Sequence, residues 1–428
     1  MPPAAFDALA DLSAPLRVPA ADRSYTRQFA SVYDYRLAVL RRRVLDAARA
    51  RDPDLPHVGR ILDTTEGQHC FVVGAIYAAM PHKPDVLEEL AHSATQPPPR
   101  RTPDAYTDPE RDALFIEDES GRVRLVGARI APGSALARRC VTGVVVGVYG
   151  VETPQGDLHV LDVQLPGIPP RVEHAPAAHA APTRIALMSG LGLGAGDGDP
   201  RTDAALDVLA AWLAGELGGE RVRAAVIAGN SVRPAWRADC GGGADNPFDT
   251  ADPQLARLCA QMDAVVVLPG SDDPASLALP QQPLLSALMP RAAAHGALEL
   301  VTNPAWFALY GRTVLATAGQ NIDDLRRYAV PGACTPLEAA KLTLESAHIA
   351  PTAPDTLWSY PFKASDPFVL RAAPDLYVVG NQPTFATELI DTPGHRIRVV
   401  LVPRFDATRA VVLVDPASLA CEVLELKM

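Results

Sequence analysis

Four short turns each follow an apolar run in the second half of the chain: Met188–Gly194 (MSGLGLG), Ala228–Asn230 (AGN), Leu268–Pro274 (LPGSDDP) and Gly380–Phe385 (GNQPTF). The glycines after Ser189 would suit a phosphate cradle, but the G-x-G-x-x-G spacing is missing and no acidic residue closes the next strand. Their expected task is a tight turn. His348 is either a ligand or a satisfied structural residue. Six cysteines (Cys70, Cys140, Cys240, Cys259, Cys334, Cys421) form no C-x-x-C pair, which points away from a zinc or iron–sulfur site and towards reduced core residues. Phe71, Tyr77 and Tyr149 fall on predicted strands, where an aromatic either stacks a nucleobase or packs a core. The acidic run Glu117–Glu119 beside them argues against a nucleic-acid surface.

Charge supports that exclusion. The 428 residues carry 39 basic and 50 acidic side chains, a net charge of -11, and neither half of the chain is basic. Gripping DNA through phosphates needs a Lys/Arg footprint, and the densest local run, Arg41–Arg43, reads as a solvated helix face. The basic residues are 35 Arg and only 4 Lys, a bias read as compositional. Apolar residues make up 48%, enough for sizeable cores. The longest apolar stretch, Cys140–Val151, is shorter than the ~18 residues of a membrane span. Asp7 and Asp11 interrupt what a signal peptide would keep basic and then apolar, so the expectation is a chain folded inside the cell.

Elements must position these turns. Apolar spacing predicts a helix over 25–50 with Ser24 as its cap. Five short strands follow, at 70–78, 113–117, 122–126, 141–151 and 158–163, and suit a small OB-type β-barrel. Residues 96–107, with Pro97–Pro99, read as an exposed loop. After a proline-rich stretch, strands at 185–188, 224–227, 264–268, 298–302, 314–317 and 377–379 alternate with helices at 202–217, 253–262 and 336–347, an α/β pattern. Residues 239–250 are too poor in apolar residues to pack and are expected to be mobile. Strands at 397–402, 411–414 and 421–426 are expected to close a second, antiparallel sheet. The predicted division is a helical segment 1–50, an OB-fold domain 51–165, a proline-rich linker 166–182 and an α/β domain 183–428.

The order and spacing of the four turns resemble the calcineurin-like dimetal phosphoesterases. Their turns read D-x-H, G-D-x-x-D, G-N-H-D/E and G-H-x-H, because two metals about 3.5–4 Å apart need oxygen and imidazole ligands from several strand ends. The resemblance puts Ser189 and Leu191 at the first Asp and His, Asn230 at the bridging Asp, and Arg233 at the next Asp. Ser271 and Asp272 replace Asn and His, Asp273 survives, and Asn381 and Pro383 replace two histidines. It therefore implies a calcineurin-like phosphoesterase αβ sandwich that is catalytically inactive, with no catalytic, cofactor-binding or metal-binding residues.

An OB-type barrel followed by such a domain is similar to the B-subunits of replicative DNA polymerases. Matching strings include Leu279–Leu284 (LPQQPL), Leu300–Pro304 (LVTNP), Gly319–Asn321 (GQN), His348–Leu357 (HIAPTAPDTL), Asp366–Phe368 (DPF) and Ser418–Cys421 (SLAC), across residues 22–426. HIAPTAPDTL and LPQQPL favour the small subunits of polymerase delta over the alpha and epsilon counterparts. The resemblance implies a nuclear, non-catalytic scaffold without cofactor or membrane contact. It would bind the C-terminal metal-containing domain of the polymerase catalytic subunit and a further regulatory subunit, meet DNA only indirectly, and be shared with polymerase zeta. The rival readings are an active metal-dependent phosphodiesterase or exonuclease, and a single-strand DNA-binding module acting through the barrel.

Overall fold

The computed structural model describes residues 5–84, 104–171, 184–194, 200–213, 216, 222–232 and 246–426. In chain order the strands are β1 (Phe6–Asp7), β2 (His69–Ala79), β3 (Ala113–Glu117), β4 (Arg122–Val126), β5 (Val145–Glu152), β6 (Leu158–Gln164), β7 (Arg184–Met188), β8 (Val222–Ala228), β9 (Ala264–Leu268), β10 (Leu298–Leu300), β11 (Ala305–Leu309), β12 (Arg312–Thr317), β13 (Leu376–Gln382), β14 (Ala386–Thr392), β15 (His395–Pro403), β16 (Ala410–Val414) and β17 (Cys421–Glu425). They fall into two compact units. The first comprises Met1–Arg23, Arg171–Gln320 and Ala372–Met428; the second, Ser24–Pro170 and Asn321–Arg371.

The first unit holds two six-stranded sheets, ordered β1-β11-β12-β13-β15-β14 and β10-β9-β8-β7-β16-β17. The Val/Ala/Leu runs of β7, β8 and β9 are buried on both faces, and their period of two divides them between two cores. Ile185, Leu187, Ala264, Val266 and Leu268 join Phe307, Val314, Val378 and Val400 between the sheets. Ala186, Met188, Val265 and Val267 meet the helices Pro200–Leu213 and Pro247–Cys259 on the outer face. The C-terminal strands do not form one antiparallel sheet as expected. β15 pairs parallel with β13 and antiparallel with β14, whereas β16 and β17 extend the other sheet beside β7. The helix predicted from Pro253 begins at Pro247, because Asn246 accepts the Phe248 N–H at 3.2 Å and Pro247 needs no donor partner. Residues 246–250, expected to be mobile, are thus the cap and first turn of a helix.

The second unit is the expected closed barrel, β2-β3-β4-β6-β5, with helix Ala30–Arg51 against it. That helix buries Val32, Arg36, Leu40, Val44 and Ala48, one row at i, i+4 spacing, and Leu40, Val44 and Ala48 pack with Phe71, Val73 and Val145. It starts at Ala30 rather than Tyr25, and Ser24 is not its cap: the Ser24 N–H donates to Tyr360 Oη at 2.8 Å. Of the arginines read as a solvated face, only Arg42 is one. Arg41 forks onto Glu119, and Arg43 donates to the carbonyls of Gly167 and Leu370 at 3.0 Å each. The latter contact, with Gly167 N–H on Glu345 O at 2.9 Å, packs the beginning of the predicted linker into this unit. The end of the predicted loop 96–107 is likewise held, since Tyr106 is buried and donates to Asp324 Oδ1 at 2.7 Å. Residues 97–99, 172–182, 233 and 241–243 lie outside the described residues. So does Cys240; among the other cysteines, Cys70, Cys140 and Cys259 are buried. Asn321–Arg371, inside the predicted α/β domain, belongs with the barrel, because its side chains satisfy those of the helix Ala30–Arg51. No helix of the described residues is long and apolar enough to cross a membrane.

Candidate functional site

In the first unit β7, β8 and β9 run parallel in one sheet, and β12, β13 and β15 in the other, so their C-terminal ends bring the four turns together. The approach leaves no room for side chains at two places. A Cβ on Gly380 would stand 2.0 Å from Ala228 O, and one on Gly270 2.3 Å from Asn230 Oδ1. The turns are therefore bonded to one another rather than held open around a ligand.

Among the described residues, each expected position has a definite occupation. Ser189 is buried; its Oγ donates towards the carbonyls of Val402 and Pro403, both at 3.1 Å, and accepts the Asn381 N–H at 2.8 Å. Leu191 is a core residue with Phe248 and Phe405. Asn230 and Asn381 have φ of 55° and 56°, a left-handed conformation that asparagine tolerates better than most side chains. Asn230 Oδ1 accepts the Asp272 N–H at 2.9 Å, while Asn381 Nδ2 donates to Ala318 O at 2.9 Å and Ala228 O at 3.2 Å. Ser271 Oγ lies 3.5 Å from Asn230 Oδ1. Pro383 is exposed and points no donor atom anywhere.

The acidic pair is also spent. Asp273 Oδ1 accepts the Val232 N–H and Oδ2 the Gly270 N–H, both at 2.8 Å. Burial pushes its carboxyl up to about 6, against the pull of the backbone N–H groups of Val232, Gly270, Ser231 and Asn230. Asp272 receives Arg404 at 3.2 Å. The same guanidinium forks onto Asp406 at 3.0 and 2.7 Å, and these bonds hold its pKa above the ordinary arginine value. A cation already occupies the acidic mouth of the site.

Sequence reasoning missed the amides that tie these turns down. Asn303 Nδ2 donates to Gln281 Oε1 at 2.8 Å and Gln320 Oε1 at 2.9 Å, and its Oδ1 accepts the Ala318 N–H at 3.0 Å. Gln281 Nε2 donates to Gly270 O at 3.1 Å and Ser276 O at 2.8 Å. These residues come from LPQQPL, LVTNP and GQN, strings that carry the resemblance but had no physical task assigned to them. Among the described residues no group of three His, Cys, Asp or Glu is placed to hold a metal ion.

His348 belongs to the second unit and is a structural residue there. Its Nδ1 accepts the Ala350 N–H at 3.2 Å, so Nε2 carries the proton and donates to Asp366 Oδ2 at 2.8 Å. Burial, aided by the Arg36 charge, pushes the imidazole down to about 4. Arg36 donates to the same Asp366 oxygen at 2.7 Å and to the carbonyls of Gly143, Pro351 and Ala353. Although burial opposes ionisation, the Arg36 charge foremost holds the Asp366 carboxyl below the usual carboxylate range. HIAPTAPDTL and DPF are thus the socket of a buried arginine.

The barrel aromatics are engaged as well. Phe71 is in the core. Arg122 lies 4.3 Å and Lys83 4.7 Å from the Tyr77 ring centroid, and Lys83 also pairs with Asp355. Tyr149 stacks on His69 at 5.6 Å.

A barrel joined in one chain to this α/β sandwich defines the B-subunit class of DNA polymerases, and the comparisons agree. Residues 28–163 match the family model described as DNA polymerase delta subunit OB-fold domain, and residues 185–387 that of the DNA polymerase alpha/epsilon B-subunit. The chain is 34% identical over 414 residues to the DNA polymerase delta small subunit of Arabidopsis thaliana, covering 93% of this chain and 91% of that protein. It is 32% identical to the Saccharomyces cerevisiae DNA polymerase delta small subunit, covering 98% and 93%, and 34% identical to Drosophila melanogaster DNA polymerase delta subunit 2, covering 94% of each. The chain belongs to the family of DNA polymerase delta small subunits.

Proposed function

We propose that this chain is the non-catalytic accessory subunit of a nuclear polymerase delta, a scaffold built on a calcineurin-like phosphoesterase sandwich that has lost its chemistry. The observation that carries the reading is the occupation of the strand ends. Asn230, Asn381 and Ser189 serve the backbone, Leu191 serves the core, Asp273 is consumed by N–H groups, and Arg404 neutralises Asp272. A dimetal centre needs several open anionic or imidazole ligands with a vacant position for water. The names of the relatives support assembly with a polymerase catalytic subunit; contact with its C-terminal metal-containing domain, with a further regulatory subunit and with polymerase zeta is what the family resemblance implies.

The test is hydrolysis. The purified chain with excess Mn²⁺ is expected to leave single-stranded DNA and a simple phosphodiester uncleaved. Turnover that depends on Mn²⁺ and disappears in Asp273→Ala would overturn the non-catalytic reading in favour of a phosphodiesterase.

A further inference from the structure

Where β12, β13 and β15 begin, the β14–β15 and β16–β17 turns of the first unit close a pocket of about 250 Å³. Arg171, Arg312, Asp375, His395, Arg396 and Ser418 are among its lining residues. Three guanidiniums against one carboxylate is the reverse of a chain whose net charge is -11. The carboxylate is already committed: Asp375 is buried, its Oδ2 accepts the Thr313 N–H at 2.9 Å, and Arg171 lies 3.2 Å from Oδ1.

The other two arginines make no ion pair among the described residues. Arg312 directs its Nε and one terminal nitrogen to the carbonyls of Pro416 and Ala417, which fixes the plane of its fork before any ligand arrives. Arg396 is exposed and forms no bridge to Asp391, its register partner across the hairpin. The Ser418 hydroxyl is already engaged, accepting the Ala420 N–H at 3.2 Å and bonding the Asp415 carboxylate, so the ligand donors of the wall are its guanidiniums. The wall therefore offers guanidinium donors, two of them on arginines with no ion-pair partner among the described residues.

That combination fits a compact dianion, and guanidinium forks match tetrahedral phosphate oxygens. We infer that this pocket binds a phosphate monoester presented by a peptide, a phosphorylated serine or threonine of a partner segment. A nucleic-acid backbone brings one charge per phosphate and needs a continuous basic track. Here Asp391 stands opposite Arg396 across the hairpin and the Asp415 carboxylate bonds Ser418, so such a track is interrupted by like charge.

Calorimetry on the full chain tests this with a short alanine-rich phosphoserine peptide, its unphosphorylated twin, inorganic phosphate and a thymidine oligonucleotide. The phosphopeptide is expected to bind, inorganic phosphate to compete, and the unphosphorylated twin to be silent. Arg396→Gln, at an exposed site, should weaken phosphopeptide binding by about tenfold without shifting the thermal midpoint of the free chain. Arg312→Lys, which keeps the charge and loses the fork, should weaken it too. Absence of phosphopeptide binding, equal binding of the twin, or indifference to Arg396→Gln overturns the inference. Tighter binding of the oligonucleotide with the same Arg396 dependence overturns it in favour of a nucleic-acid site.

Discussion

Asp273 is a carboxylate that folding holds in an unfavourable charge state. Its pKa rises from an ordinary 3.8 to about 6, so its contribution to stability is fully present below pH 3.8 and is lost as pH rises through about 6. Asp273→Asn removes that titration. Relative to the variant, the wild-type chain is expected to lose stability between pH 4 and 7, by up to about 3 kcal/mol at 1.36 kcal/mol per pKa unit. Denaturant midpoints of both proteins across that range check it, and parallel curves would show that Asp273 does not titrate there. His348 works in the opposite sense. Lowered from 6.5 to about 4, it supports the fold above pH 6.5 and withdraws that support as pH falls towards 4. His348→Gln is therefore expected to flatten the acid limb of the stability curve, read as thermal midpoint against pH. The sequence already marked Asn230, Asn381 and Ser189 as too weakly ligating for a metal centre. It could not reveal that both asparagines meet a positive φ, since backbone conformation leaves no mark on composition.

The helix Ala30–Arg51 shows what an element conceals. Its apolar spacing was legible, but Arg36 occupies a place in the buried row that an arginine would ordinarily leave. Its partner Asp366 lies 330 residues away, beyond any local pattern. Removing one member of a buried pair strands the other, so Arg36→Leu is expected to cost about 3–5 kcal/mol in denaturant unfolding. Arg42→Ala, at a solvated site on the same helix, should stay within about 0.5 kcal/mol. Equal effects would mean that Arg36 is not the anchor its hydrogen bonds describe. The barrel strands were legible because each runs between Gly, Pro or Asp turns. β11 and β14 were missed: β11 is an unbroken five-residue apolar run after a proline, and β14 mixes polar and apolar side chains at an edge. The C-terminal strands were found and misassigned, since parallel or antiparallel pairing depends on neighbours that sequence order does not display.

At the scale of the whole molecule, the acidic balance and the engaged barrel aromatics predict weak DNA binding by the isolated chain. Fluorescence anisotropy at physiological salt should give no sub-micromolar affinity for single strands. Tight binding lost on mutating Tyr77 would reinstate the barrel as a DNA-binding surface. A scaffold that binds a partner only when folded gains stability from it by mass action. Co-expression with the catalytic subunit's C-terminal domain should therefore raise soluble yield and thermal midpoint at equal concentration. No shift at saturating partner, with a monodisperse isolated chain, would reject an obligate scaffold. Exposed Leu277 and Leu285, which flank the anchored Gln281, are candidate contacts for such a partner.

The clamp around Lys83 has a chemical consequence. Lys83 is pressed between Tyr77 and Asp355, and the sequence of 428 residues has only three other lysines, Lys341, Lys363 and Lys427. Amine-reactive cross-linkers will leave this polypeptide almost blank in a distance map of its assembly, and carboxyl- or arginine-directed reagents are the ones to choose. Ubiquitin conjugation meets the same scarcity, since a degradation signal attached through a lysine of this chain has four positions to draw on.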